Sequence, residues 1–375
     1  MGALRGGDVH VQAIRDSAAE PPTLKPPKGH PKALLRRPDP PKTLGDMCAD
    51  IDDMYWSMTK GQTLKITRVG QDDRRRWILS LPGTAHMDFT STANPADMEA
   101  NIREMLGLAS GIRVGAVAAL HQAMRLDGVA EDALAKEPVL VCGHSQGGLI
   151  GVVLGSMDPT EAGVNVMGVL GSGAPARRIR MRPDVAMLAV AHDQDVVPSM
   201  DGSPDRAPDQ RVRIGRKLVR PRKDPLYYAH SSATYTETVR QLERKVAVAP
   251  FGRVARTVRK LQDFLPTEGE PTRVTFYEVW QELVEPAESS RFDTFLKLDI
   301  DTSYEAVDYG SDYAPAPLFT LPEFDRASFN LPDIAFSKVS SLDLPKVELP
   351  RIDLAASRRQ KSTKNDPEKR TPNDE

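Results

Sequence analysis

Between Pro138 and Gly155 an apolar run, Val139-Leu-Val-Cys142, passes without a linker into Gly143-His-Ser-Gln-Gly147 and then into Gly148-Leu-Ile-Gly-Val-Val-Leu-Gly155. The run has the length and β-branched content of a fully buried strand, and the small residues after it suit a helix packed closely on a sheet. Gly-x-Ser-x-Gly at such a junction is the pattern of a very sharp strand-to-helix turn. The serine there takes a strained backbone conformation, and the residues two before and two after it must lack side chains. Gly143 and Gly147 stand in those places. The turn lifts the Ser145 hydroxyl above the sheet edge at a helix N-terminus, where backbone N–H groups favour developing negative charge. Ser145 is therefore the candidate nucleophile.

A nucleophile of this kind needs a base and an acid, which in this arrangement follow it in the order serine, acid, histidine. Val185-Ala-Met-Leu-Ala-Val-Ala191 has strand length and ends in the polar stretch His192-Asp-Gln-Asp-Val-Val-Pro198. Asp195 and Asp193 are the candidate acids. Of seven histidines, His10 and His30 lie in a Pro-rich tail, and His86, His121, His144 and His192 all precede Asp195. Only His230 follows, in a loop leading to the helical pattern Thr234–Lys245, and it is the candidate base. The oxyanion donors should be the N–H of Gln146 and one N–H from the loop after an earlier strand. That strand is Arg76-Trp-Ile-Leu-Ser-Leu81 and its loop begins Pro82-Gly-Thr. Gly83 permits close backbone approach; Thr84, offering both N–H and hydroxyl, is the better candidate.

Leu-Pro-Gly-Thr at 81–84, Gly-His-Ser-Gln-Gly at 143–147, His-Asp-Gln-Asp-Val-Val-Pro at 192–198, and His230 with Tyr235 beyond it together resemble the α/β-hydrolase lipases and esterases. Within them, the likeness is to the branch containing class 3 lipases and inositol-deacylase-like hydrolases, over roughly residues 46–265. In that branch a Gly-Thr or Gly-Ser after the strand builds the oxyanion hole and the acid stands before Val-Pro. The resemblance thus implies Thr84, Gln146, Ser145, Asp195 and His230 as site residues. It implies cleavage of carboxylic esters, with an acyl ester or lipid as substrate, through an acyl-enzyme intermediate. The chain departs from the secreted members in showing neither a signal-peptide pattern nor a disulfide framework. Acyl transfer and thioester hydrolysis use the same triad, and a non-enzymatic scaffold with a partner-binding tail is a third expectation to test.

Strand and helix patterns alternate through the middle of the chain. Thr63–Val69, Arg76–Leu81, Val139–Cys142, Val164–Leu170 and Val185–Ala191 read as strands, and Asp97–Leu106 and Val114–Leu126 as helices. This predicts an α/β fold with a mostly parallel sheet covered on both faces. Gly168-Val-Leu-Gly-Ser-Gly173 reads as a strand end and turn, because dinucleotide spacing is absent. The expected organisation is a disordered Pro-rich arm over 1–45, a catalytic domain over 46–265, and an extension over 266–316. A disordered tail over 317–375 would follow. There Leu-Pro recurs at 321, 331, 344 and 349, which excludes helix and central strand.

Only Cys48 and Cys142 are present, with no Cys/His grouping at metal-ligand spacing, so neither metal nor other cofactor is expected. No apolar run reaches the about 18 residues of a membrane span. The first residues show no apolar signal region, so the expected compartment is the cytoplasm. A formal net charge of −2 argues against nucleic-acid binding. Charge is uneven, however: Arg206–Lys223 carries eight cations beside Asp209 alone. Read as a loop covering the site, this basic segment would favour anionic substrates or a peripheral contact with anionic lipid.

Overall fold

The computed structural model describes residues 5–18, 38–55, 60–87, 91–202, 211–219 and 225–284. The described residues build one eight-stranded sheet. Its strands are β1 (Arg5–Asp16), β2 (Gln62–Val69), β3 (Arg76–Leu81), β4 (Pro138–His144), β5 (Asn165–Ser172), β6 (Ala186–His192), β7 (Val212–Arg216) and β8 (Thr272–Val284). They lie in the order β1-β8-β2-β3-β4-β5-β6-β7. From β3 to β7 every pairing is parallel, whereas β1, β8, β2 and β3 pair antiparallel. The class is α/β with a mostly parallel mixed sheet.

Side-chain alternation along β4 explains why both faces are covered. Val139 and Val141 enter one apolar cluster with α3 (Gly111–Leu126) and α4 (Gln146–Ser156). Leu140 and Cys142 enter the other, with α1 (Leu44–Met54), α7 (Ser232–Val248) and α8 (Gly252–Gln262). A central parallel strand buried on both sides has to be apolar throughout, as this one is. α1 shows the matching helical logic. Thr43 caps it by accepting the Asp46 N–H at 3.0 Å, and Leu44, Met47, Cys48, Ile51 and Met54 recur at helical spacing on its buried face.

Three expected segments differ in the structure. The arm expected over 1–45 contains β1, which pairs with β8 from Arg5↔Val284 to Asp16↔Thr275, and its end already holds the cap and first two residues of α1. Alternation of Val9, Val11 and Ala13 with polar residues is the signature of a half-buried strand, and it is what the Pro-rich residues nearby obscured. The extension expected from 266 contains β8, inserted between β1 and β2. Tyr277 and Val279 enter the main core, so residues 272–284 are integral to the sheet. The basic segment expected as a loop contains β7, which extends the sheet beside β6. Residues 203–210 and 220–224, and the Leu-Pro tail, lie outside the described residues. The remaining expected elements fall within a few residues of their observed ends. Among the described residues no helix is long and apolar enough to cross a membrane.

Parallel register brings four strand ends to one edge of the sheet. Leu81 pairs Gly143, His144 pairs Ser172, and Ser172 pairs Val190. The residues that follow β3, β4, β5 and β6 therefore emerge side by side, where parallel sheets hold their sites.

Candidate active site

Ser145 has φ 53° and ψ −121°, a left-handed conformation that a side chain rarely adopts. The neighbouring glycines permit it. A Cβ at Gly143 would meet the Gly147 backbone at 2.2 Å, and one at Gly147 would meet the Leu81 carbonyl oxygen at 2.2 Å. Strain is held in place because β4 and α4 are each packed over their full length, and the Ser145 N–H is tied to the Ser172 carbonyl at 2.8 Å.

His230 is the last residue of α6 (Pro225–His230), a short helix where a loop was expected. Its Nε2 is 3.1 Å from Ser145 Oγ, and its Nδ1 is 2.8 Å from Asp195 Oδ2. Asp195, not Asp193, meets the histidine. Asp193 is exposed, with its N–H on the Arg216 carbonyl at 3.0 Å. A carboxylate can only accept, so Nδ1 carries the proton and Nε2 is left to accept the serine hydroxyl.

Asp195 is further held by groups that sequence reasoning did not assign. Tyr235 donates its hydroxyl to Oδ2 at 2.5 Å, and the Val197 N–H reaches Oδ1 at 3.0 Å. The acid's side chain is fully buried, whereas that of His230 is 11% exposed, so only the base faces the cleft. Burial and the Asp195 charge hold the Tyr235 hydroxyl well above the usual phenol range, which keeps it a donor. The Tyr235 ring stacks on His192 at 3.9 Å. His192 is itself pinned between the Ala229 carbonyl and the Thr238 hydroxyl, at 2.6 and 2.8 Å. Gly173 gives these groups room: a Cβ there would lie 3.0 to 3.2 Å from Tyr235, His230 and Asp195.

On the other side of Ser145, the Gly83 N–H donates to the Tyr55 hydroxyl at 2.6 Å and so is already engaged. Thr84 is buried, and its hydroxyl accepts from Asn101 Nδ2 at 2.8 Å. Gln146 begins α4, where the backbone N–H has no intrahelical partner. Its side chain donates to the Asp97 carbonyl at 2.8 Å and ties α4 to the start of α2 (Met98–Met105). Thr84 lines the cleft with Ser145, and Gln146 follows the nucleophile in the chain, each buttressed from the N-terminal half of α2.

The cleft over Ser145 encloses about 750 Å³ including its open mouth. Met98 and Met105, two turns apart on α2, line it with Met87 and Met200. Val197 and Pro175 add apolar surface, and Tyr55, His144 and Tyr227 also line it. No sequence pattern joins these residues, because they come from separate loops and helices that only the fold brings together.

The basic segment has other partners. Arg211 donates to the Ala176 and Ile179 carbonyls at 2.9 and 2.5 Å, and Arg216 donates to the Thr238 hydroxyl at 2.8 Å. These two cations brace the sheet edge instead of forming a free basic cover. Cys48 and Cys142 are both buried and unpaired. Among the described residues, no group of three or more His, Cys, Asp or Glu is placed to hold a metal. Comparison of the chain with family models, with curated proteins and with solved structures gives no match.

Proposed function

We propose that the chain is a serine hydrolase of the α/β-hydrolase fold that cleaves carboxylic esters through an acyl-enzyme intermediate. One observation carries the reading: the unbroken line from Ser145 Oγ to His230 Nε2 at 3.1 Å and from His230 Nδ1 to Asp195 at 2.8 Å, starting at a strained nucleophile. His230 takes the serine proton as Oγ attacks the ester carbonyl. Asp195 fixes the tautomer and stabilises the imidazolium. The Thr84 and Gln146 N–H groups receive the oxyanion. His230 then protonates the leaving alcohol, and the same steps with water in place of serine release the acid. The apolar, methionine-rich lining of the cleft supports an uncharged acyl group as the part of the substrate held there, since methionine adapts its shape to irregular apolar guests. Buried, unpaired thiols support a reducing compartment, the cytoplasm.

The test is intact-mass detection of a fluorophosphonate adduct on the purified protein, beside Ser145→Ala and His230→Ala. One adduct on the wild type, lost in both variants and followed by turnover of an ester panel, is the expected result. A folded wild type that neither labels nor turns over esters, with or without lipid, sinks the reading in favour of a scaffold. An alcohol acceptor that diverts most of the acyl product would change it to acyl transfer.

A further inference from the structure

His144 stands beside the nucleophile, is buried, and takes no part in the proton path just described. Its Nε2 is 2.8 Å from the backbone carbonyl of His230, and its Nδ1 is 2.6 Å from the Tyr55 hydroxyl. The Tyr55 oxygen in turn receives the Gly83 N–H at 2.6 Å. With a neutral His144 ring, the two ends of this chain fix every hydrogen within it. A carbonyl can only accept, so Nε2 carries the His144 hydrogen. A backbone N–H can only donate, so the Tyr55 oxygen accepts from Gly83 and sends its own hydrogen to Nδ1. The bridge therefore runs in one direction, from Gly83 N–H through Tyr55 and His144 to the His230 carbonyl. It requires a neutral imidazole, and burial together with the nearby His230 pushes the His144 ring well below the usual histidine range.

The bridge joins four segments that are remote in sequence: the C-terminal end of α1, the oxyanion loop after β3, the end of β4 at the elbow and the end of α6. We propose that His144 and Tyr55 are positioning residues, setting the distance between the base and the oxyanion loop by holding the His230 backbone and Gly83 on either side of the nucleophile. This rests on the serine-hydrolase reading above. His144 acts on the 3.1 Å approach of His230 Nε2 to Ser145 Oγ, and Tyr55 acts on the N–H of Thr84 through the residue before it. Side chains of other shapes would fill the same space. Glutamine is one of the few that also supplies a donor and an acceptor in series.

The test uses the full chain with Tyr55→Phe, His144→Leu, His144→Gln and the Tyr55→Phe/His144→Leu double variant. Tyr55→Phe and His144→Leu should each lower kcat about tenfold or more, the scale on which small misplacements act. KM should stay within about twofold. His144→Gln should recover most of the rate, and the double variant should be no slower than the slower single one. Independently of activity, imidazole 15N shifts of the wild type should show His144 protonated at Nε2 and bare at Nδ1, with the Nδ1 resonance moving in Tyr55→Phe. A His144 protonated at Nδ1, a glutamine variant as slow as leucine, or additive losses would overturn the proposal. If the wild type neither labels at Ser145 nor turns over esters, the hydrolase reading falls, while the 15N signature still decides whether the bridge exists.

Discussion

Asp195 shows how much of a site can rest on one side chain's surroundings. It accepts from His230, Tyr235 and the Val197 N–H, so its ionised form is satisfied without water. Tyr235→Phe removes one bond to a charged acceptor, worth about 1.5–3 kcal/mol. If that loss falls on the transition state, the rate should drop roughly 10- to 100-fold, measured as kcat for ester hydrolysis with KM little changed. Gly173 has φ +63° and, as described, only tight space for a Cβ beside Tyr235, His230 and Asp195. Gly173→Ala should lower Tm by a few degrees and slow phosphonate labelling, since a left-handed alanine costs roughly 1–2 kcal/mol. Gly171→Ala is the control, because the nearest atom to its Cβ is 3.8 Å away. Equal behaviour of the two variants would show that space at Gly173 does not matter.

Elements differ in how far their own residues announce them. β4 and α4 were legible because a buried strand, a sharp turn and a slim helix each exclude most residue types. Gly143, Ser145 and Gly147 thus report the turn by themselves. The candidate acid and base were legible through chain order, which the fold dictates. β1, β7 and β8 were not read. β7, Arg211-Val-Arg-Ile-Gly-Arg216 in its setting, alternates Val212 and Ile214 with cations, as edge strands do to discourage pairing with other chains, and its charge masks the alternation. β1 and β8 are placed in one sheet only by their pairing, and each lies more than 250 residues from the other. His144 and Tyr55 were illegible for a similar reason, since hydrogen-bond partners leave no local pattern. One tie between elements has a pH signature. Arg76 on β3 grips Glu270, just before β8, through two bonds of 2.6 and 2.9 Å. The guanidinium holds the Glu270 carboxyl down at about 2, against an ordinary value of 4.5. A depressed carboxylate contributes stability above its unfolded value that is lost as pH falls through its folded one. The contribution is therefore complete above about pH 5 and disappears toward pH 2. Glu270→Gln should lower Tm by a few degrees at pH 7, and the gap from wild type should close as the pH drops. A gap that is constant with pH would assign the effect to packing instead.

At the scale of the whole molecule, β1 covers the edge that β8 would otherwise present to solvent. Deleting residues 1–17 should uncover a row of unpaired backbone groups, a template for association between chains. Lower Tm and concentration-dependent elution in size exclusion are the expected results. Phosphonate labelling of Ser145 should persist below the new Tm, because the strand ends that carry the site belong to β3 through β6. A monomeric, unshifted variant would mean that β1 contributes little. The same strand order bears on how the protein is made. β8 lies between β1 and β2, so β1 has no neighbour in this sheet until residues 272–284 have been synthesised. β3 through β7 need no such wait, since each pairs with the next in sequence. The nascent chain can thus assemble its parallel half early, while β1 stays exposed to chaperones and proteases until β8 has emerged, and long-range closure of this kind is slow.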